Sequence, residues 1–282
     1  IRNTVFSNYD GIVSTSSLAT IAGNRVYGNS RYGISDGGAL VDGNLVYSNS
    51  IGVLTGFSSR EVINNVIYDN TNQGVLVQSR AGHEFNLTNN TIYQAVGDAV
   101  RVQSSSQRVQ VRNNIIWVEA GFGIVVANDS QTNFLADSNL FYLGDASTVV
   151  LGHFSGDQPT LADWQSIGLG INSVVGNPDF VDIDGGDNVL GFDPAGEGYD
   201  RGRDDNFHLR FTSPAIDRAD ATVAPEFDRE GFGRVDDPGT ADVNGSIVDV
   251  GAHEFQGSSL DTTPPSVVDT VIDSHTNAST GQ

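Results

Sequence analysis

The sequence predicts an all-β fold in which short strands wind into a parallel β-helix solenoid, and three observations carry this prediction. A motif of Asn, any residue, an aliphatic residue or Phe, and an aromatic residue recurs every 20–25 residues. The aliphatic runs are two to five residues long, which suits short strands and excludes a helical solenoid. Asn and Gly, which favour turns, separate these runs. Three such strands and three turns fill about 22 residues, one coil in a stack spaced about 4.8 Å apart.

Seven copies of the motif predict about seven coils. They begin at Asn3, Asn24, Asn44, Asn65, Asn90, Asn114 and Asn139. Four of them have a second Asn five residues later, at Asn8, Asn29, Asn49 and Asn70. Asn tolerates the left-handed backbone region and can bond its own turn, so Asn at one position per coil predicts a stacked ladder of side-chain amides. A Gly followed by an aliphatic residue then appears at Gly11, Gly33, Gly52, Gly74 and Gly123, with a looser copy at 97–100.

This pattern resembles the right-handed parallel β-helix repeat shared by pectate-lyase-like proteins and many secreted polysaccharide lyases and epimerases. The resemblance covers residues 1–152 and implies a right-handed solenoid that contacts polysaccharide. It does not imply an activity, because the same solenoid serves enzymes, adhesins and stalks.

The repeat fades after Tyr142, and the composition shifts to Asp, Gly and Pro. Local motifs at 176–181, 205–209, 212–217 and 248–254 resemble the choice-of-anchor type of C-terminal region found in bacterial secreted and cell-surface proteins. Since the end of a β-helix exposes unpaired strand edges, we expect residues 153–258 to form an irregular β-rich cap over the last coil. Residues 259–282 resemble a linker and the opening of a following module that is cut short.

The charge composition limits the partners. The chain has 14 basic residues, all Arg, against 35 acidic ones, a net charge of −21. This speaks against nucleic-acid binding, which needs a cationic surface. It also speaks against polyanions unless cations bridge the two. No apolar stretch approaches the ~20 residues of a membrane span. The acidic, Cys-free composition and modular tail favour a bacterial extracellular or cell-surface location.

The aromatic residue of each motif gives the first candidate site. If the aliphatic residue before it points inward, the aromatic ring points outward. An exposed ridge of such rings would suit sugar stacking; the other interpretation is that they pack at a corner or under the second segment. The carbohydrate-stacking candidates are Tyr27, Tyr47, Tyr68, Tyr93 and Trp117.

The second candidate site is a catalytic cluster. A lyase needs a base, an acid and a group that neutralises the substrate carboxylate. Arg101 with Asp98, and His83 with Glu84 on the preceding turn, are the polar groups that the pattern offers for these roles. The alternative is a solvated charged patch.

The third candidate site is a calcium loop. Asp182, Asp184 and Asp187 place carboxylates around a Gly turn, as cation-binding loops do, but without the Glu of an EF-hand. The alternative is an acidic surface rich in turns capped by Asp and Asn side chains. Calcium is therefore the candidate cofactor.

We expect an extracellular or cell-surface module of a larger secreted protein that contacts polysaccharide. A polysaccharide lyase or related carbohydrate-active enzyme is the first alternative, and it predicts polar residues from adjacent coils converging in one groove. A structural stalk or self-assembling surface element is the second, and it predicts a featureless convex surface and end-to-end association.

Overall fold

The computed structural model describes residues 2–57, 61–79, 83–144, 149–195, 200–243 and 245–257. The predicted linker and following module at 259–282 lie outside the described residues.

Six complete coils of three strands each follow one another along the chain. They are β1 (Thr4–Phe6), β2 (Asp10–Ser14), β3 (Thr20–Ala22); β4 (Arg25–Tyr27), β5 (Tyr32–Asp36), β6 (Leu40–Asp42); β7 (Leu45–Tyr47), β8 (Ile51–Phe57), β9 (Glu61–Ile63); β10 (Val66–Tyr68), β11 (Gln73–Ser79), β12 (Phe85–Thr88); β13 (Thr91–Gln94), β14 (Asp98–Val102), β15 (Val109–Arg112); and β16 (Ile115–Val118), β17 (Gly121–Val126), β18 (Leu135–Asp137).

The seventh coil is incomplete. It contains β19 (Leu140–Leu143) and β20 (Val149–Phe154), and β21 (Asp157–Gln158) then pairs antiparallel with β20. Helix α1 (Leu161–Ser166) and β22 (Val174–Val175) complete the turn, and β23 (Phe180–Asp182) and β24 (Asn206–Leu209) form a separate antiparallel pair.

Corresponding strands of successive coils pair in parallel and build three sheets. Sheet A contains β1, β4, β7, β10, β13, β16, β19 and β22, and sheet C contains β3, β6, β9, β12, β15 and β18. Sheet B contains β2, β5, β8, β11, β14, β17 and β20, with β21 at its edge. The structure therefore confirms an all-β, right-handed parallel β-helix with an irregular C-terminal cap. Among the described residues no helix is long and apolar enough to cross a membrane.

The core is built from rows of aliphatic side chains that point inward at one position per strand. In sheet A the row is Val26, Val46, Ile67, Ile92, Ile116 and Phe141, in successive register. All of its members are fully buried. The Gly positions of sheet B are needed because the coils approach closely: a Cβ at Gly52 would lie 2.6 Å from the carbonyl oxygen of Gly74.

Two amide ladders hold the coils in register. At one corner each Asn accepts a hydrogen bond at its Oδ1 from the backbone N–H of the matching Asn in the previous coil, as Asn90 does from Asn65 at 2.9 Å. This ladder runs from Asn3 to Asn139 and ends on the Ser173 hydroxyl. A second ladder runs from Asn8 through Asn29, Asn49 and Asn70 to Gln94. The amide ladder that the motif predicts is thus present, and in two copies.

The physical reason that we gave for Asn needs correction. The left-handed residue is the one before each ladder Asn, as at Asn64 (φ 55°) and Gly43 (φ 62°). The ladder position instead requires the Asn side chain. Its Oδ1 accepts a hydrogen bond from the backbone N–H of the previous coil, and its Nδ2 donates to backbone carbonyls, as Asn90 does to Val62. Apart from Asn3 and Asn8 at the N-terminal ends of the ladders, these amides are buried, so the hydrogen bonds are needed to compensate their removal from water.

Helix α1 closes the C-terminal end of the core. Thr160 and Asp163 form a reciprocal capping box at its first turn. Trp164, fully buried, packs where a Cβ at Gly152 would collide with its ring. Among the described residues, this short helix covers the last coil, whereas later residues such as Phe192 and Phe207 pack along the side of the solenoid.

We predict that Asn90→Ala strongly destabilises the protein. The substitution removes the acceptor of Asn65 and the donor to the carbonyls of Val62 and Thr88, all of them buried. Each buried group left unpaired costs about 1–3 kcal/mol, so the free energy of unfolding should fall by more than about 2 kcal/mol. Asn3→Ala, at the exposed end of the same ladder, is the control and should change it by less than about 1 kcal/mol. Equal urea midpoints for the two variants would refute the ladder as a stabilising element.

Candidate functional site

The outward face of sheet A carries the column of aromatic rings. Tyr27, Tyr47 and Tyr68 stack on one another with ring centroids 5.0 Å and 4.8 Å apart. Tyr93 and Trp117 continue the column with tilted rings 4.5 Å apart. The strand register therefore places one ring above the next along the whole face, as the repeat predicts.

This column is not an exposed ridge. Phe192 lies against Tyr27 at 5.2 Å, and Phe207 lies against Tyr68 at 4.7 Å. Tyr47 and Tyr68 have no exposed surface, Tyr27 and Tyr93 are buried, and Trp117 is half-buried. We correct the idea of a sugar-stacking ridge accordingly: the C-terminal segment covers the rings, which pack beneath it in an apolar cluster.

Asn side chains at the corner beside the ladder fasten the C-terminal segment to the solenoid. Asn64, Asn89 and Asn113 are the left-handed residues that precede ladder positions, and their Nδ2 atoms donate to carbonyls of residues 227, 249 and 220 at 3.0 Å each. The second and third coils have Gly23 and Gly43 at this position instead. The Asn-Asn doublets at 64–65, 89–90 and 113–114 are the sequence signal of this contact.

The structure does not bring the proposed catalytic cluster together. Arg101 bonds Asp98 through Nε at 2.9 Å and Nη2 at 2.6 Å, and both residues lie on β14 in sheet B. His83 and Glu84 are exposed and precede β12 of sheet C. Glu84 instead accepts a hydrogen bond from Gln110 of the next coil at 2.8 Å. The two pairs thus belong to different faces of the solenoid.

A cleft does form on the outer face of sheet C, and we call it the sheet C cleft. Its volume is about 210 Å³, and polar groups from three successive coils line it together with an apolar wall from sheet C and the C-terminal segment. Its lining residues are Glu61, Ile63, Glu84, Asn86, Thr88, Gln110, Arg112, Val223 and Pro225. Arg112 is held in place by Gln110 at 2.5 Å and Asp220 at 3.4 Å, so its charge is partly compensated. Of the predicted catalytic residues only Glu84 lines this cleft.

A second polar cluster lies between the solenoid and the C-terminal segment. The rings of His208 and His253 stack with centroids 4.2 Å apart, and His208 Nε2 lies 3.1 Å from the Glu230 carboxylate. One ligand atom from each of the three lies within 4.8 Å of the other two. His253 is 5% exposed, and neither ring nitrogen completes a hydrogen bond, although the backbone of Phe207 faces it. Burial, with His208 and Arg229 nearby, holds the pKa of His253 well below its usual range, so its imidazole is neutral.

The predicted calcium loop does not gather its carboxylates. Asp182, Asp184 and Asp187 are not among the groups of the described residues whose ligand atoms converge within 4.8 Å. Asp187 instead pairs with Arg201 at 3.1 Å. A different acidic set, Asp217 with Asp236 and Asp242, does converge. Burial, together with neighbouring carboxylates and against one backbone hydrogen bond, raises the pKa of Asp217 to about 6.

A buried ion pair holds the C-terminal segment together. Arg234 Nη1 lies 2.8 Å from Glu254 Oε2, and the two side chains are 7% and 0% exposed. Arg234 also reaches Asn64 of the solenoid at 3.2 Å. Asp249 lies beside Glu254, and burial together with the Glu254 charge raises the pKa of Asp249 to about 8. Arg234 is thus the cation that faces this buried carboxylate pair.

We predict that Arg234→Met destabilises the protein by about 3 kcal/mol or more near pH 8, because it leaves Glu254 buried without its partner. The loss should be smaller near pH 5. Folding raises the pKa of Asp249 and Glu254. Such carboxyls lower the free energy of unfolding as the pH rises through the raised pKa, and their protonation at lower pH removes that cost.

Urea unfolding at both pH values measures this effect. Arg203→Met is the matched control, because the Arg203 side chain is 78% exposed and its nearest carboxylate is 4.0 Å away. An Arg234→Met loss no larger than that of the control would overturn the assignment.

Comparison with known proteins identifies a family for the coils. A family model described as a periplasmic copper-binding protein (NosD) matches residues 1–143, which contain the six complete coils and β19. No curated protein and no solved structure matches the chain. The match ends before the C-terminal segment, so the resemblance of residues 172–255 to a choice-of-anchor region stays a prediction. Because the matched residues are half of the chain and coincide with the coils, this chain belongs to the NosD family.

Proposed function

We propose that this protein is a periplasmic or extracellular module that contacts polysaccharide through the sheet C cleft. The observation that carries the proposal is the convergence of polar side chains from three successive coils in one cleft, at Glu61, Glu84 with Asn86, and Gln110 with Arg112. Membership of a family described as periplasmic supports the location. A purely structural stalk would not require these polar groups to converge in one cleft.

The chemistry of the cleft suits a sugar. Sugars present hydroxyl groups at their edges and apolar C–H faces, and the cleft offers amide and carboxylate groups opposite an apolar wall of Ile63, Val223 and Pro225. Coils spaced about 4.8 Å apart place equivalent side chains at regular steps along a chain molecule. The glycan would therefore lie across the coils of sheet C.

The charges of the cleft favour a neutral glycan. Among the described residues that line it, Glu61 and Glu84 give two carboxylates, whereas Arg112 is the one cation and is shared with Asp220. The whole chain carries a net charge of −21. A polyanionic glycan would be repelled at this surface unless Ca²⁺ bridged the carboxylates of both partners.

Binding to a panel of neutral and acidic polysaccharides, measured calorimetrically with and without Ca²⁺, tests this proposal. We expect a neutral glycan to bind, and the double variant Glu84→Ala/Gln110→Ala to bind it at least about tenfold more weakly, the loss of about 1.4 kcal/mol of hydrogen bonding. Arg101→Ala on sheet B is the matched control and should bind normally. Absence of binding to every glycan, or equal loss in the control, would refute the cleft. Products that absorb ultraviolet light during incubation would show the lyase alternative.

A second candidate function, binding of a transition metal, is favoured by the unpaired imidazole of His253. Two imidazoles and a carboxylate suit Cu(II), as well as Zn²⁺ and Ni²⁺, and the family description names copper. The matched residues 1–143 contain one His and no Cys or Met, so they are a poor source of copper ligands. His208, Glu230 and His253 are the residues that would hold the metal, whose positive charge would compensate Glu230.

Calorimetric titration of the whole chain with Cu(II), and the paramagnetic resonance spectrum of the product, test this second function. His208→Ala and His253→Phe should each weaken binding at least about tenfold by removing a nitrogen ligand. His153→Ala is the control, because His153 lies on β20 and pairs with Asp157. Binding that is unaffected by either variant would exclude this cluster, and preference for Zn²⁺ would exclude copper as its metal.

A further inference from the structure

The C-terminal segment contains a loop, residues 235–243, that folds over one buried carboxylate. Asp217 is fully buried and has a left-handed backbone with φ 52°. The loop contacts it twice: the N–H of Asp237 donates to Asp217 Oδ2 at 3.2 Å, and the N–H of Val243 donates to the Asp217 carbonyl at 3.0 Å. Both contacts place the exposed end of the loop around Asp217.

The second carboxylate oxygen, Asp217 Oδ1, has no hydrogen-bond partner although it is buried. Asp217 is faced by the carboxylates of Asp236, Asp237, Asp242 and Asp249, and within the described part of the chain it makes no ion pair with Arg or His. A buried carboxylate surrounded by like charge is unfavourable unless something compensates it. The arrangement therefore lacks a positive group.

We propose that Asp217, Asp236 and Asp242 bind a calcium ion. One carboxylate oxygen from each lies within 4.8 Å of the other two, and an ion there would pair with the otherwise unpartnered Asp217 Oδ1. The donors are all oxygens, which excludes a site selective for soft metals. Ca²⁺ accepts irregular oxygen sets completed by backbone carbonyls and water, whereas Mg²⁺ demands a near-octahedral one.

This site differs from the predicted loop at Asp182, Asp184 and Asp187, and it goes beyond the proposed polysaccharide contact. The two acidic regions differ in charge compensation: Asp187 pairs with Arg201, whereas Asp217 makes no ion pair with Arg or His among the described residues. The ion would also link the loop to the interior of the segment. The backbone N–H of Asp217 donates to Asp249 Oδ1 at 2.9 Å, and Asp249 belongs to the network around Glu254 and Arg234.

The experiment is calorimetric titration of the whole chain with Ca²⁺, together with thermal unfolding in Ca²⁺ and in chelator. A ligand that binds only the folded state raises Tm, so millimolar Ca²⁺ should raise it by at least about 3 °C. Asp217→Asn, Asp236→Asn and Asp242→Asn should each abolish the Ca²⁺-dependent shift. Asp236 and Asp242 are exposed, so their variants keep the test valid if Asp217→Asn does not fold.

Asp187→Asn is the matched control in the other acidic loop and should keep the full Ca²⁺-dependent shift. An absent Ca²⁺ effect in the parent protein, or a shift that persists in Asp236→Asn and Asp242→Asn, would overturn the proposal. An equal loss of the Ca²⁺-dependent shift in Asp187→Asn would indicate that the ion binds the loop at 182–187, which would also overturn the proposal. These outcomes do not depend on glycan binding, so failure of either proposal leaves the other standing.

Discussion

The coil-to-coil hydrogen bond of the corner asparagines is the interaction on which the rest of the structure depends. Each side-chain oxygen accepts from the backbone of the previous coil, so neighbouring coils cannot slide without unpairing buried amides. With that register fixed, the residue two positions after the ladder Asn, such as Val26, always points into the core. The residue three positions after it, such as Tyr27, always points out. The apolar rows, the ring column and the sheet C cleft are therefore consequences of one repeated amide.

An outward column of rings is a second constraint, because an uncovered apolar stripe of this length would promote association. The C-terminal segment covers these rings by lying lengthwise over sheet A. This segment is irregular, and irregular backbone cannot pair all of its polar groups in ladders, so side chains must do so. Several of the buried charged or unpaired groups lie in this segment, at Asp217, His253 and Glu254, although the coils also bury Asp36 and Asp98. The coils thus supply most of the sheet C cleft, and the C-terminal segment supplies the candidate metal ligands.

The repeat made the solenoid predictable, including the strands, the inward rows and the amide ladder, because each feature occurs once per coil and seven copies reinforce one another. The position of the C-terminal segment was not predictable in this way. Its contacts join residues more than 100 positions apart, such as Asn89 with Asp249. The solenoid side of the contact repeats at Asn64, Asn89 and Asn113, but the partner residues 227, 249 and 220 follow no regular spacing. The sequence placed His208 and His253 in separate motifs, and nothing in either motif indicated that their rings stack. Likewise, acidic spacing pointed to Asp182 and its neighbours, whereas burial and the missing counter-charge, which spacing does not encode, distinguish Asp217.

The lengthwise cover also limits how this solenoid can evolve. β-Helices lengthen readily by duplicating a coil, since each coil needs only its neighbours. Here the cover is anchored at successive coils, and the anchors are Arg25 to Asp200, Asn64 to Arg234, Asn89 to Gly251 and Asn113 to Asp220. One inserted coil would displace every later anchor by about 4.8 Å, more than a hydrogen bond tolerates. The C-terminal segment thus fixes the number of coils between its first and last anchors. A coil can be duplicated without breaking an anchor only outside that interval.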